Sequence, residues 1–529
     1  MRIAYAQMKI SEGHPDVNTK KILRLIDEAK SGGADVVIFP SCAIEGELPG
    51  RAWEQWSFRE DCARCQRDII AASKGIDVIF QNMNVLLAKD FVIARDGEIV
   101  DDEDKNFSYK VKYGADNKNL SGGADFYIKY HIGIKTAYGC PMIRVLSVGI
   151  ANNGKKIFVK AGGSAVFNSR GEMVQYAEPF AESLNFIELD DVDKMPVLEV
   201  PELDETEKIF RTISFGVKTF LEQIGMSKVV IGVSGGIDSA VAAALYTQIL
   251  GAENVFLVNM PSVYNSATTK NLSEQLAKNL GCKYFVIPIQ ESVDWTVKQL
   301  EGVGLEVSSF VRENIQARDR SARILAAVAA SVGGVFTCNA NKAEATIGYA
   351  TLYGDAAGFL SALADLWKFQ VYALARYMNE KIFRREVIPQ GIIDIVPSAE
   401  LSTAQNVDEG KGDPLKYPYH DYLLRAFVEE NLTPEEILQW YADGTLEENI
   451  GCERGLVEKY FPTAQEFTAD LERWWKQFTG MGVAKRIQSP PMITLKKISS
   501  ADEYPSYEVQ NGCHFTQKYL ELKRELLAQ

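Results

Sequence analysis

The stretch Ser234, Gly235, Gly236, Ile237, Asp238, Ser239 sets two glycines and two hydroxyls around one carboxylate, between an apolar run and a helical one. Glycines let the backbone approach a ligand closely, and the helix that follows aims its free N–H groups and the positive end of its dipole at an anion. Ser234 and Ser239 can add hydrogen bonds to phosphate oxygens. No lysine stands where the GxxxxGKS loop carries one. Asp238 would repel a phosphate unless a cation lay between them, which implies Mg²⁺; the competing reading is a carboxylate that caps its own helix.

The elements needed to position this loop are legible around it. "KVVIGV" reads as a buried strand and "SAVAAALYTQIL" as a helix, together the opening of a doubly wound parallel sheet. An amphipathic helix over 206–224 precedes them. A second strand–helix unit follows at "NVFLVNMPSVYNS" and a third strand at "CKYFVIPI". Residues 395–480 look mainly helical, with Thr433 as an N-cap, Pro434 at the first helical position and a closing glycine in "NLTPEEILQWYADG". The tail from about 481 reads as irregular. Upstream, strands at Arg2–Gln7, Asp35–Phe39, Asp77–Phe80, Phe91–Ala94 and Ala165–Asn168 alternate with helical stretches such as 17–31. Residues 186–206 are acidic and carry two prolines, as a linker would. The chain therefore divides into 1–185, a linker over 186–206, and 207–529.

Bulk properties set the class. A chain of 529 residues exceeds one ordinary core, and 46% hydrophobic with 24% charged residues is the composition of a soluble globular protein. A net charge of −14 argues against a nucleic-acid partner. The eight cysteines form no disulfide framework, and Cys62 with Cys65 has no second pair at zinc-finger spacing. The four histidines do not cluster in sequence. No leader and no run of membrane-spanning length is visible, so a cytoplasmic protein without a membrane partner is expected.

SGGIDS resembles the pyrophosphate loop of the ATP-pyrophosphatase amidotransferases. "MPSVYNS" (260–266), "ENIQARDRSAR" (313–323), "NANKAEATIGYATLYGD" (339–355), "DLWKFQVYALARYMN" (365–379), "PSAEL" (397–401) and "KRIQSPP" (485–491) fall in the order seen in NAD synthetases. The resemblance implies amidation of deamido-NAD through an acyl-adenylate, with ATP consumed to AMP and pyrophosphate and Mg²⁺ as cofactor. It implies Asp238, Lys368 and Asp355 as catalytic residues, and Asp238 with Glu344 on the metal. ATP would be held by Ser234, Gly235, Gly236, Ile237, Asp238, Ser239, Ser262, Arg318, Lys368 and Ser398. Deamido-NAD would be held by Asn314, Glu344, Asp355 and Lys485. Plainer readings stand beside three of these: Glu344 as a first-turn helix acid, Lys368 as a solvated helix start, and Arg318 as part of a salt-bridged helix face. Relatives usually carry threonine where Asn339 stands. A homo-oligomer is expected by resemblance.

The front segment, "IAYAQMKISEGHPDVNTKKILRLIDEAKSGGADVVIFP", is similar to the opening of nitrilase-type amidases, the α/β sandwich that supplies ammonia from glutamine in fused NAD synthetases. That resemblance implies a Glu–Lys–Cys triad acting as general base, oxyanion stabiliser and nucleophile. The flanks put these positions at Ser41, Lys105 and Ala137, so the glutamate and the cysteine are absent. After Ala137 the sequence passes quickly to "GSAVFNSRGEMV", as if about two strand–helix units were missing. The expectation is a degenerate glutaminase domain on a synthetase that uses free ammonia, with a separate ammonia-donating glutaminase as a possible partner. Two alternatives stay open: glutamine use through Cys140 as a displaced nucleophile, and an amidotransferase acting on another carboxylate.

Overall fold

The computed structural model describes residues 1–81, 91–100, 111–113, 126–129, 139–495 and 515–528. They form two compact units, Met1–Asp204 and Glu205–Gln529.

In the first unit β1 (Arg2–Gln7), β2 (Val36–Ser41) and β3 (Asp77–Gln81) run parallel, joined by α1 (Pro15–Ser31) and α2 (Trp56–Ala71). β4 (Phe91–Arg95) and β5 (Glu98–Val100) continue the sheet antiparallel. β6 (Val111–Tyr113), β7 (Phe126–Lys129) and β8 (Met142–Arg144) follow, then the hairpin of β9 (Val148–Asn152) with β10 (Lys156–Ala161). β11 (Ala165–Phe167) and β12 (Met173–Tyr176) complete a second sheet in the order β12-β11-β8-β7-β6. β13 (Ser183–Glu188) returns to lie antiparallel along β1, with Arg2 opposite Glu188 and Gln7 opposite Ser183, and closes one side of the first sheet.

The two-residue period of a strand sorts the core into layers. Ile3, Tyr5, Val36, Ile38, Ile79 and Ile93 pack with Ile143 and Val166 of the second sheet and with Val145 just after β8. The alternate residues Ala4, Ala6, Val37, Phe39, Val78 and Phe80 pack instead on α1 and α2. α1 supplies Ile22, Leu25, Ile26 and Ala29 at helical spacing; α2 supplies Phe58, Cys62, Cys65 and Ile69. Both cysteines of the CxxC are therefore buried core, and burial pushes both thiols up. The result is a helix layer on two stacked sheets.

The stretch read as a linker is shorter than 186–206. Phe186, Ile187 and Glu188 belong to β13, residues 189–194 form a short 3₁₀ turn, and α3 (Glu205–Gln223) already begins at 205. Its acidic residues mark an edge strand and a turn as much as a connector.

In the second unit α3 leads to β14 (Val229–Gly232), α4 (Ile237–Leu250), β15 (Val255–Asn259), α5 (Ala267–Leu280), β16 (Lys283–Val286) and, later, β17 (Val335–Phe336). All four strands are parallel, in the order β16-β15-β14-β17. Chain direction across the sheet therefore reverses between β14 and β17, which leaves a crevice at their carboxyl ends. α4 is apolar on every side and is buried from Ser239 to Thr247. A helical region packs around Trp367, Tyr419, Leu423, Phe467 and Trp474. Thr433 caps the helix Pro434–Ala442 in a capping box with Glu436, as its sequence predicts.

The tail differs from expectation. Met481–Gln488 is a helix, Met492 bridges Ser361, and Gln517–Leu527 is a further helix. Gly480 and Gly482 make the first of these read as loop, yet a side chain on Gly482 would meet the backbone of Gln477 and Ile347, so the glycine permits close helix packing. Among the described residues no helix is long and apolar enough to cross a membrane.

Candidate active site

The loop after β14 is shaped by hydrogen bonds within itself. The Gly236 N–H donates to Ser234 Oγ at 3.2 Å, and Ser239 Oγ donates to the Gly236 carbonyl at 3.0 Å. Gly235 has φ +89°, and a Cβ on it would lie 2.4 Å from the Thr269 carbonyl oxygen. Only glycine fits both demands. Gly235→Ala is therefore expected to cost about 1–3 kcal/mol of stability, read by thermal denaturation.

α4 delivers Asp238 from its first turn. The short helix Lys342–Ile347 delivers Glu344, whose Oε2 accepts the Asn341 N–H at 3.3 Å while Asn341 Oδ1 accepts the Glu344 N–H at 3.1 Å. This capping box leaves the other glutamate oxygen to Lys368 and Tyr417. Lys368 opens the helix Lys368–Tyr377 and is 3% exposed. Its Nζ lies 2.6 Å from Asp238 Oδ2 and 3.6 Å from Glu344 Oε1, and 4.7 Å above the Tyr417 ring. Asn341 Nδ2 donates to Asp238 Oδ1 at 3.2 Å, and the Tyr417 hydroxyl to Glu344 Oε1 at 3.0 Å.

Burial and electrostatics act together here. Burial, then the charge of Asp238, raises the Glu344 carboxyl to about 8, with Lys368 opposing. Burial lowers the Lys368 ammonium, but Asp238 and Glu344 outweigh it and hold the pKa above its ordinary value. Burial also raises Asp355 and Asp413.

Ser234 through Ser239, Glu344, Asp355, Lys368 and Ser398 line one cavity of about 260 Å³ at the carboxyl ends of β14 and β17. Asp355 Oδ1 accepts the Thr351 N–H at 2.6 Å, and Ser398 donates to the Gln405 carbonyl at 2.6 Å. Four expected residues stand elsewhere. Arg318 is exposed and donates to the Leu352 carbonyl; Asn314 turns back to the Phe310 carbonyl of its own helix. Ser262 is buried beside the cavity wall and accepts the Tyr264 N–H. Lys485 donates to the Gly348 carbonyl and lines a smaller neighbouring cavity that shares Ala340, Glu344 and Ala350 with the main one. Asn339 lines the main cavity and reaches the Gly232 carbonyl.

The sequence reading missed Arg320, Tyr372 and Asp413, all on the cavity wall. Arg320 donates to the Met260 carbonyl at 3.2 Å and to Asn265 Oδ1 at 3.1 Å, and burial lowers it to about 10. Four acidic side chains (Asp238, Glu344, Asp355, Asp413) and two cations (Arg320, Lys368) thus share the wall, a balance that favours an anionic ligand accompanied by a cation. No three carboxylate, thiol or imidazole groups converge as a metal site among the described residues. Two carboxylates with phosphate oxygens are nevertheless a usual set for Mg²⁺. Lys368 Nζ, lodged between Asp238 and Glu344, marks where the positive charge is wanted.

Residues 209–450 match the NAD synthase family. The match lies within the second unit. Similarity extends beyond it. A glutamine-dependent NAD(+) synthetase of Thermotoga maritima is 28% identical, with 83% of this chain and 90% of the relative covered. One of Synechocystis is 33% identical over 62% of this chain and 56% of its own. Two solved glutamine-dependent synthetases share the fold. The one from Cytophaga hutchinsonii has a TM-score of 0.76 at 14% identity and covers 99% of each chain. The one from Acinetobacter baumannii, in complex with ADP, has a TM-score of 0.65 at 23% identity and covers 85% of this chain and 92% of that one. The fold is thus nitrilase-like in the first unit and of NAD synthetase type in the second, as its sequence suggests.

In the first unit Ser41 ends β2 and lies 3.5 Å from Cys42 Sγ. Lys105 and Ala137 lie outside the described residues. Cys140 is half-buried and packs on Met142, Ala165 and Phe167. Glu12 pins the loop that follows Ser41: it accepts the Leu48 N–H at 2.8 Å and pairs with the largely buried Lys160.

Proposed function

We propose that this chain joins ammonia to the carboxylate of deamido-NAD, driven by adenylation with ATP, and that its first unit no longer releases ammonia from glutamine. The observation that carries the synthetase reading is Lys368 set between Asp238 and Glu344 at the mouth of a glycine loop, inside the matched domain.

A carboxylate does not react with ammonia at neutral pH, because oxide is a poor leaving group. Its attack on the α-phosphate of ATP expels pyrophosphate and forms an acyl-adenylate. Ammonia then adds to the acyl carbon and AMP leaves. The Ser234–Ser239 loop presents backbone N–H groups and hydroxyls to the phosphates. Lys368, already charged and dry, meets the negative charge that grows as the α-phosphate is attacked. Arg320 gives a second cation deeper in the wall. Asp238 and Glu344 would hold Mg²⁺, which neutralises phosphate charge when bound. Asp355 and Ser398 would orient the pyridine nucleotide and the phosphates, and the enclosed cavity keeps water from the adenylate.

One fact supports an inactive first unit: a serine stands at the end of β2, where the amidase resemblance asks for a general base. The competing reading, glutamine use through Cys140, is favoured by the names of the relatives. The test is NAD formation from deamido-NAD and MgATP, with ammonium and glutamine supplied separately. Turnover is expected with ammonium and not with ammonia-free glutamine, and Cys140→Ala should leave the ammonium rate unchanged. Glutamine-supported turnover abolished by Cys140→Ala would establish the rival. AMP release only with another acid would replace the substrate.

A further inference from the structure

Lys342 and Asp365 do not line the main cavity, yet each stands close in sequence to a residue that does. Lys342 opens the helix that carries Glu344, and Asp365 lies just ahead of Lys368. Lys342 Nζ is 2.9 Å from Asp365 Oδ1 and 2.6 Å from Glu429 Oε1. Glu429 Oε1 also accepts the indole N–H of Trp367 at 3.0 Å, from the residue next to Lys368. The Lys342 backbone N–H donates to the Leu366 carbonyl at 2.8 Å. Asp365 Oδ2 accepts the Thr494 hydroxyl at 2.9 Å and the Leu495 N–H at 2.7 Å. The side chains of Lys342 and Asp365 are 9% and 7% exposed.

Charges so placed are a weak source of stability, because removing them from water offsets their attraction and apolar side chains of similar volume often serve as well. What they supply is direction. These bonds lock the segments bearing Glu344 and Lys368 to one another at fixed distance, and Thr494 brings the C-terminal segment onto the same carboxylate.

We propose that Lys342, Asp365 and Glu429 are positioning residues, a charged strut behind the cavity that sets the spacing at which Lys368 bridges Asp238 and Glu344. This rests on reading those three residues as the reacting centre.

The test uses the full chain at 15 °C, with Asp365→Asn and the paired apolar replacement Lys342→Met with Asp365→Leu. Two quantities are read: kcat and KM for ATP, and the reactivity of individual lysines toward acetic anhydride by mass spectrometry. Lys228, at the opposite end of β14, is the internal reference. Both variants are expected to lose about tenfold or more in kcat, with KM for ATP within about threefold. Labelling of Lys368 should rise severalfold while that of Lys228 stays constant. Unchanged Lys368 protection would overturn the strut whatever happens to kcat. So would a parallel rise at Lys228, which reports loss of fold, or a kcat within about twofold of the parent. If the parent chain makes no NAD, the proposed reaction is wrong, and Lys368 labelling alone decides the strut.

Discussion

Lys368→Met should lower kcat for NAD formation by about a thousandfold while the chain stays folded. The methionine fills nearly the same volume, so packing against Tyr417 survives. What disappears is the only ammonium held within 4 Å of both Asp238 and Glu344 among the described residues. Lys368 opposes the upward shift that burial and Asp238 impose on Glu344, so its loss pushes that carboxyl higher still. The variant should therefore keep the Glu344 proton above about pH 8, where the parent loses it, visible as an alkaline shift in the pH profile of nucleotide binding. A rate within tenfold of the parent would mean that Lys368 only balances buried charge.

Glu344→Gln should do two opposite things: reduce turnover by about a hundredfold or more and make the protein more stable at alkaline pH. The folded carboxyl has a pKa of about 8 against 4.5 for the free group, raised by burial and by Asp238. The folded state then binds the proton more tightly than the unfolded one. Its stabilising contribution is complete below pH 4.5 and is lost as pH rises through about 8. Glutamine resembles the protonated form at every pH. The two proteins should melt together at pH 5, and the variant should melt about 2–4 °C higher at pH 9 for each kcal/mol recovered. Equal melting at pH 9 would show that Lys368 already neutralises Glu344 in full.

The sequence made plain those parts of this site that are built locally. The glycine loop, the strand before it and the buried helix after it depend on neighbours in the chain, and they occur where the residue pattern indicates. Asn341 was equally readable, since an asparagine three positions before Glu344 is the signature of the capping box that orients it. Arg318 and Arg320 show where such reading stops. The two arginines lie two positions apart on one continuous helical stretch, so they cannot share a face, and only Arg320 reaches the cavity wall. Which of the two faces the cavity is set by what packs on the helix from far along the chain. The pairing of Lys368 with Asp238 joins residues 130 positions apart and has no local signal at all. The helical tail was hidden for a different reason: Gly482 looks like a breaker but is required by its close approach to the backbone of Gln477 and Ile347.

The return of β13 to lie beside β1 determines how the chain can be divided. A fragment ending at residue 182 would lack the whole of β13 and leave the buried strand Arg2–Gln7 as a bare sheet margin. One cut within the acidic stretch at 186 would keep only half of that cover. Unpaired margins of this kind recruit strands from other molecules and drive aggregation. The smallest soluble fragment of the first unit must therefore run through Glu188, and the amino terminus of this protein is guarded by residues that a reading of the sequence assigns to the join between its halves.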